Sequence, residues 1–159
     1  MNGVVSNASP LIVLAKADLL WILPRLFSSV LLPQAVRAEI EAGDSEDPMR
    51  KLLASCSWLV GVELVPPLSP LSVWQLGHGE SEVIEYVRLH GDLLALLDDR
   101  VARRAAQTLG VKVHGTLSVV AMAVRGGHVP SFPAAVAQLK AAGLYVSDDL
   151  VVTVNKGLR

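Results

Sequence analysis

Asp98 and Asp99 close the apolar run Leu93-Leu94-Ala95-Leu96-Leu97 and stand just before Arg100-Val101-Ala102-Arg103-Arg104. An apolar run of that length followed by helical spacing reads as a buried strand feeding a helix, which puts both acids at the strand's carboxyl end. Open α/β sheets bind ligands at that edge. Adjacent acids there require a cation or a partner, and a hard divalent metal is the first candidate. The plainer reading is that either acid caps the helix that follows. Further oxygen donors come from separate segments: Asn7 after Val4-Val5-Ser6, Glu39 in Arg37-Ala38-Glu39-Ile40-Glu41, and Glu80 in His78-Gly79-Glu80-Ser81-Glu82. Converging on one sheet edge, they would suit Mg²⁺ or Mn²⁺, which take carboxylates, amide carbonyls and waters. Such a cluster can activate water and stabilise an in-line displacement at phosphorus. Each donor also has an ordinary alternative: Asn7 bonding the turn before Ser9, Glu39 as a solvated helix acid, and Glu82 as a solvated or supporting residue.

The elements that must position these residues can be read along the chain. Val4-Val5 opens a short strand ending at Ser6-Asn7, and Ser9-Pro10 supplies an N-cap and first-turn proline for a helix through Leu11, Leu14, Ala15 and Leu19. Pro24 ends that region. Val30-Leu31-Leu32 is a second strand, Pro33 opens a helix through Val36, Glu39 and Ile40, and Gly43 closes it. Residues 44–47 read as a loop, 48–54 as a helix, 60–65 as an alternating strand and 66–70 as a loop. Glu80 then stands at or just before a helix amino terminus, where its charge suits the dipole. After the strand of Leu93 to Leu97 come an Arg-rich helix to Leu109, a strand Val111 to Val113, and Thr116 as N-cap of an apolar helix through Val124. Pro130 and Pro133 begin another helix, and Ser147 caps a last one. This alternation predicts a three-layer α/β/α sandwich with a central parallel sheet of four or five strands, formed by 1–159 as one domain.

Composition narrows the function classes. At 159 residues the chain suits one domain with a sizeable core, and 52% hydrophobic against 18% charged residues fits strands covered on both faces. The apolar stretch from Pro10 to Leu23 contains Lys16 and Asp18 and ends at Pro24, so it does not read as a membrane span or a signal peptide. One cysteine, Cys56, excludes an internal disulfide and favours the cytoplasm; without a partner motif it reads as buried rather than nucleophilic. With net charge −1, any nucleic-acid contact must be local, and seven scattered aromatics make no stacking sheet. His78-Gly79-Glu80 mimics the H-x-E of zinc deaminases but lacks the later P-C-x-x-C. His78, His90, His114 and His128 show no zinc spacing and read as surface or turn histidines.

Ser6-Asn7-Ala8-Ser9-Pro10-Leu11-Ile12, Glu39, Leu76-Gly77-His78-Gly79-Glu80-Ser81-Glu82, Leu96-Leu97-Asp98-Asp99-Arg100 and His114-Gly115-Thr116-Leu117 together resemble the PIN-domain family. More narrowly, they resemble a subgroup close to the VapC-like toxins of toxin–antitoxin pairs. The likeness spans nearly the whole chain in order. It implies a PIN-like fold and an endoribonuclease dependent on Mg²⁺ or Mn²⁺, with Asn7, Glu39, Glu80 and Asp99 in the family's four acidic positions as metal ligands. Glu39, Glu80, Asp99 and Asp98 would then be the catalytic acids, with Asp98 able to replace or support Asp99. Thr116 lies near a further polar position of the family. Asn7 departs from the aspartate most members carry; an amide oxygen still ligates a hard cation but brings no charge and is no base.

Arg100, Arg103 and Arg104 are candidates for RNA phosphates, against the alternative of a solvated helix face. The resemblance further implies a small antitoxin protein and a homodimer, for which the apolar helices near the N terminus are candidate interfaces. Asn7 keeps open a second class, a catalytically weak or silent module that binds RNA or protein. A phospho-acceptor receiver is a third class, but it needs an acidic pair after the first strand, where Asn7 stands alone.

Overall fold

The computed structural model describes residues 2–64 and 75–158; the loop expected at 66–70 and the last residue of the strand expected at 60–65 lie outside them. Five strands, β1 (Val4–Ser6), β2 (Val30–Pro33), β3 (Leu59–Val62), β4 (Leu94–Leu96) and β5 (Val113–His114), form one sheet in the order β3-β2-β1-β4-β5. Every pairing is parallel. Val4, Val5 and Ser6 are all fully buried. Successive strand residues point to opposite faces, so burial of all three means that both faces are covered, as the sequence predicts.

The covering helices are α1 (Ala8–Lys16), α2 (Leu23–Leu26), α3 (Gln34–Ala42), α4 (Pro48–Leu52), α5 (His78–Leu89), α6 (Arg100–Thr108), α7 (Thr116–Arg125), α8 (Phe132–Ala141) and α9 (Asp148–Lys156), with a 3₁₀ turn at Leu20–Ile22. Leu11, Leu14, Ile22, Leu23, Leu32, Met49, Ile84, Leu96, Leu97 and Leu139 are the largest of the fully buried apolar side chains, and Phe27 and Phe132 join the same core. The chain builds β1, β2 and β3 outward on one side, then crosses back to build β4 and β5 on the other. The order reverses between β1 and β4, and at such a switch point the helices that follow the two strands diverge and leave a crevice.

Several local expectations are corrected. Asn7, not Ser9, is the residue before α1, and Pro10 occupies the third helical position, where its missing N–H belongs to the helix's unbonded first turn. Pro24 lies inside α2 rather than ending a helix. Thr116 is the first residue of α7, and Gly115 holds the cap position. The apolar helices near the N terminus spend their side chains inside the chain, since Leu11, Val13, Leu14, Leu20, Ile22 and Leu23 are buried; among them Trp21 stands out at 45% exposed.

Candidate active site at the carboxyl edge

Asn7 extends the pairing of β1 with β4 by one residue, its N–H donating to the Leu96 carbonyl at 3.1 Å. The Ser6 hydroxyl donates to the Asn7 carbonyl at 2.9 Å, which also fixes this backbone. Asparagine before a helix ordinarily accepts a bond from the first turn. Here it makes no such bond. Asn7 is only 4% exposed, and its Oδ1 has no hydrogen-bond partner among the described residues. A buried acceptor left alone costs about 1–3 kcal/mol, so its orientation needs another reason.

The reason lies across the crevice. A Cβ built on Gly79 would stand 3.0 Å from Asn7 Oδ1 and 2.9 Å from Glu39 Oε2. The two oxygens thus converge over a backbone position that carries no side chain. Glu39 is exposed along much of its length, but this carboxylate oxygen lies against buried Gly79. Burial raises the Glu39 pKa above its ordinary 4.5, and the charge of Glu80 raises it further. Glu80 is held at the start of α5 by a bond from the Gly77 N–H to its Oε2 at 2.9 Å, the returning half of a capping box. Glu82 Oε2 accepts the Ala35 N–H at 2.9 Å, tying α5 to the first turn of α3, which carries Glu39. A cleft of about 570 Å³ opens on Glu39, Gly77, His78, Gly79 and Glu80.

Asp98 and Asp99 stand at the same edge, beyond β4, with different employments. Asp98 accepts the Thr116 N–H at 2.7 Å and the Thr116 hydroxyl at 2.6 Å, bracing the start of α7. Asp99 caps α6, its Oδ1 accepting the Ala102 N–H at 2.8 Å. The helix-capping alternative therefore describes Asp99. No three His, Cys, Asp or Glu side chains among the described residues form a ready metal cluster. The pair that the structure joins is Asn7 with Glu39, with Glu80 as the neighbouring charge. That donor set still fits a hard cation, because Mg²⁺ is held by one or two carboxylates and keeps several waters.

His114 is a half-buried strand residue rather than a turn histidine; burial and then the Arg103 charge lower its pKa below the ordinary 6.5. Cys56 is half-buried, and burial raises its thiol pKa, which disfavours the nucleophilic thiolate. Sequence reasoning missed Gly79, whose place between His78 and Glu80 signals only a helix start. The cap gives a direct expectation. Asp99→Ala should cost about 1 kcal/mol, or about 2–4 °C in Tm, whereas Asp99→Asn should cost almost nothing because asparagine caps as well. Thermal unfolding of both variants checks this. Cleavage by Asp99→Asn then reads any use of the charge alone.

A parallel sheet reversed between β1 and β4, with oxygen donors at its carboxyl edge, defines an α/β domain of the class that binds ligands at that edge. Residues 3–158 match the family model DUF3368, described as a PIN domain, and the chain belongs to the PIN-domain family. PIN domains are generally nucleases and commonly use divalent metal ions. A PilT N-terminus domain protein from the hyperthermophilic archaeon Sulfolobus solfataricus P2 is similar in structure, with a TM-score of 0.52. The two are 16% identical, and the likeness covers 78% of this chain and 94% of that one. At that identity it bears on the fold alone. No curated protein matches the chain. Among the described residues no helix is long and apolar enough to cross a membrane.

Proposed function

We propose that the chain is an endoribonuclease that cuts single-stranded RNA with Mg²⁺ or Mn²⁺ held by Asn7, Glu39, Glu80 and Asp99. The observation that carries this reading is the buried, partnerless Oδ1 of Asn7 aimed with Glu39 over Gly79. When bound, the cation supplies Lewis-acid stabilisation of charge at phosphorus and a more acidic water. Glu39, with its raised pKa, is suited to orient that water or accept its proton, because a base is most effective when its pKa approaches the working pH. Asn7 gives only a neutral oxygen. Glu80 is fixed by Gly77 and contributes charge, and Asp98, braced by Thr116, keeps the β4 end of the crevice in place. By resemblance to the VapC-like subgroup, the protein acts in the cytoplasm as a homodimeric toxin restrained by a small antitoxin.

The deciding experiment is cleavage of single-stranded RNA by wild type and Asn7→Asp across Mn²⁺ concentrations. Adding a charge beside Glu39 should lower the half-saturating Mn²⁺ concentration about tenfold or more, since ligand charge tunes hard-cation affinity. Without metal the same variant should melt lower, because like charges repel. Inactive wild type with active Asn7→Asp would favour the second reading, a silent RNA- or protein-binding module, for which the neutral Asn7 is the supporting observation.

A further inference from the structure

A second groove, of about 670 Å³, lies between α6 and α9. Asp98 lies at its near end, one strand away from the Asn7 segment, a spacing of about 5 Å. Arg100, Arg103 and Arg104 line one wall. None of the three forms an ion pair among the described residues, and the Nε of Arg103 is buried without a hydrogen-bond partner. A chain of net charge −1 thus gathers three guanidinium groups on one wall, with Asp98 as the acid at the groove's end. Across from them Leu150 and Val154 of α9 give an apolar floor, and Tyr145 stands at the rim, 94% exposed. Guanidinium groups grip phosphate through paired N–H donors, and an exposed tyrosine ring offers a face on which an unpaired base can stack.

We propose that this groove is a nucleotide subsite, holding an RNA phosphate on the arginines of α6 and the adjoining unpaired base on Tyr145. The inference rests on the ribonuclease reading and deepens it. It places the substrate strand running from the Asn7–Glu39 crevice past Asp98 toward α9. A single strand is required, because a base stacked in a duplex has no free face for Tyr145.

The test is fluorescence anisotropy with a short labelled single-stranded RNA in EDTA, where binding is read without cleavage. Tyr145→Ala should weaken binding about tenfold, and Tyr145→Phe, which keeps the ring, should bind as wild type does. Arg104→Ala should reduce the salt slope of log K by about one. Tyr145 and Arg104 are exposed, so neither change empties the core. Unchanged binding by Tyr145→Ala and Arg104→Ala would overturn the subsite while leaving metal-dependent cleavage by wild type to stand. Duplex RNA bound as tightly as the single strand would also overturn it. Binding that depends on Tyr145 and Arg104 in a wild type that never cleaves with Mn²⁺ would support the subsite and remove the nuclease.

Discussion

Gly79→Ala should leave the protein folded, with a Tm equal to or above that of wild type, while lowering metal-dependent RNA cleavage by about two orders of magnitude. Gly79 is the second residue of α5 and has ordinary helical backbone, so alanine is locally the better helix former, by at most about 1 kcal/mol. The added methyl group meets Glu39 Oε2 at 2.9 Å, Asn7 Oδ1 at 3.0 Å and Val36 Cγ2 at 3.3 Å. The fold can tolerate this, because the two oxygens are side-chain ends that can turn aside. The proposed chemistry cannot, because those ends are the donors. A shift of about 1 Å in reacting groups costs about 10²-fold in rate. Thermal denaturation and RNA cleavage at saturating Mn²⁺ read the two effects separately. Full activity in Gly79→Ala would show that the Asn7–Glu39 pair is not where the reaction occurs.

Much of this arrangement is legible in the chain, and the parts that are not share a cause. Strands such as Leu94–Leu96 announce themselves because a strand covered on both faces is apolar without interruption. The carboxyl-edge positions of Asn7, Asp98 and Asp99 follow from where those runs stop. What a run cannot tell is the employment of a side chain at its end. Asp98 and Asp99 are neighbours of the same type, yet one braces Thr116 and the other caps α6, because their carboxylates leave the edge in different directions. Glu85 falls within a helix rich in charge but is 1% exposed and bonded to Arg88. Gly79 and Tyr145 are silent in sequence for the same reason. The first matters through the side chain it lacks, and the second through a groove whose arginine wall, Arg100, Arg103 and Arg104, lies on a distant part of the chain.

On the proposed function, Glu39→Gln should reduce cleavage by about two to three orders of magnitude, because the carboxylate that would hold the cation is replaced by a neutral amide of nearly the same shape. Its effect on stability should have the opposite sign. The Glu39 carboxyl has a raised pKa in the fold, through burial first and the charge of Glu80 second. A raised acid weighs against folding once ionised, so wild type without metal should lose stability as pH rises from about 4.5 through the folded-state value. Glutamine carries no such charge, and the variant should show a flatter pH profile and a higher metal-free Tm at neutral pH. Metal should reverse the order, since a cation that binds the native state at a hundred times its Kd adds about 2.7 kcal/mol. Wild type should gain most of that and Glu39→Gln little of it. Melting curves from pH 4 to 8, with and without Mn²⁺, measure each part. If Glu39→Gln keeps the wild-type melting gain on Mn²⁺, Glu39 does not hold the ion. If it also cleaves like wild type, the crevice over Gly79 has no part in the reaction.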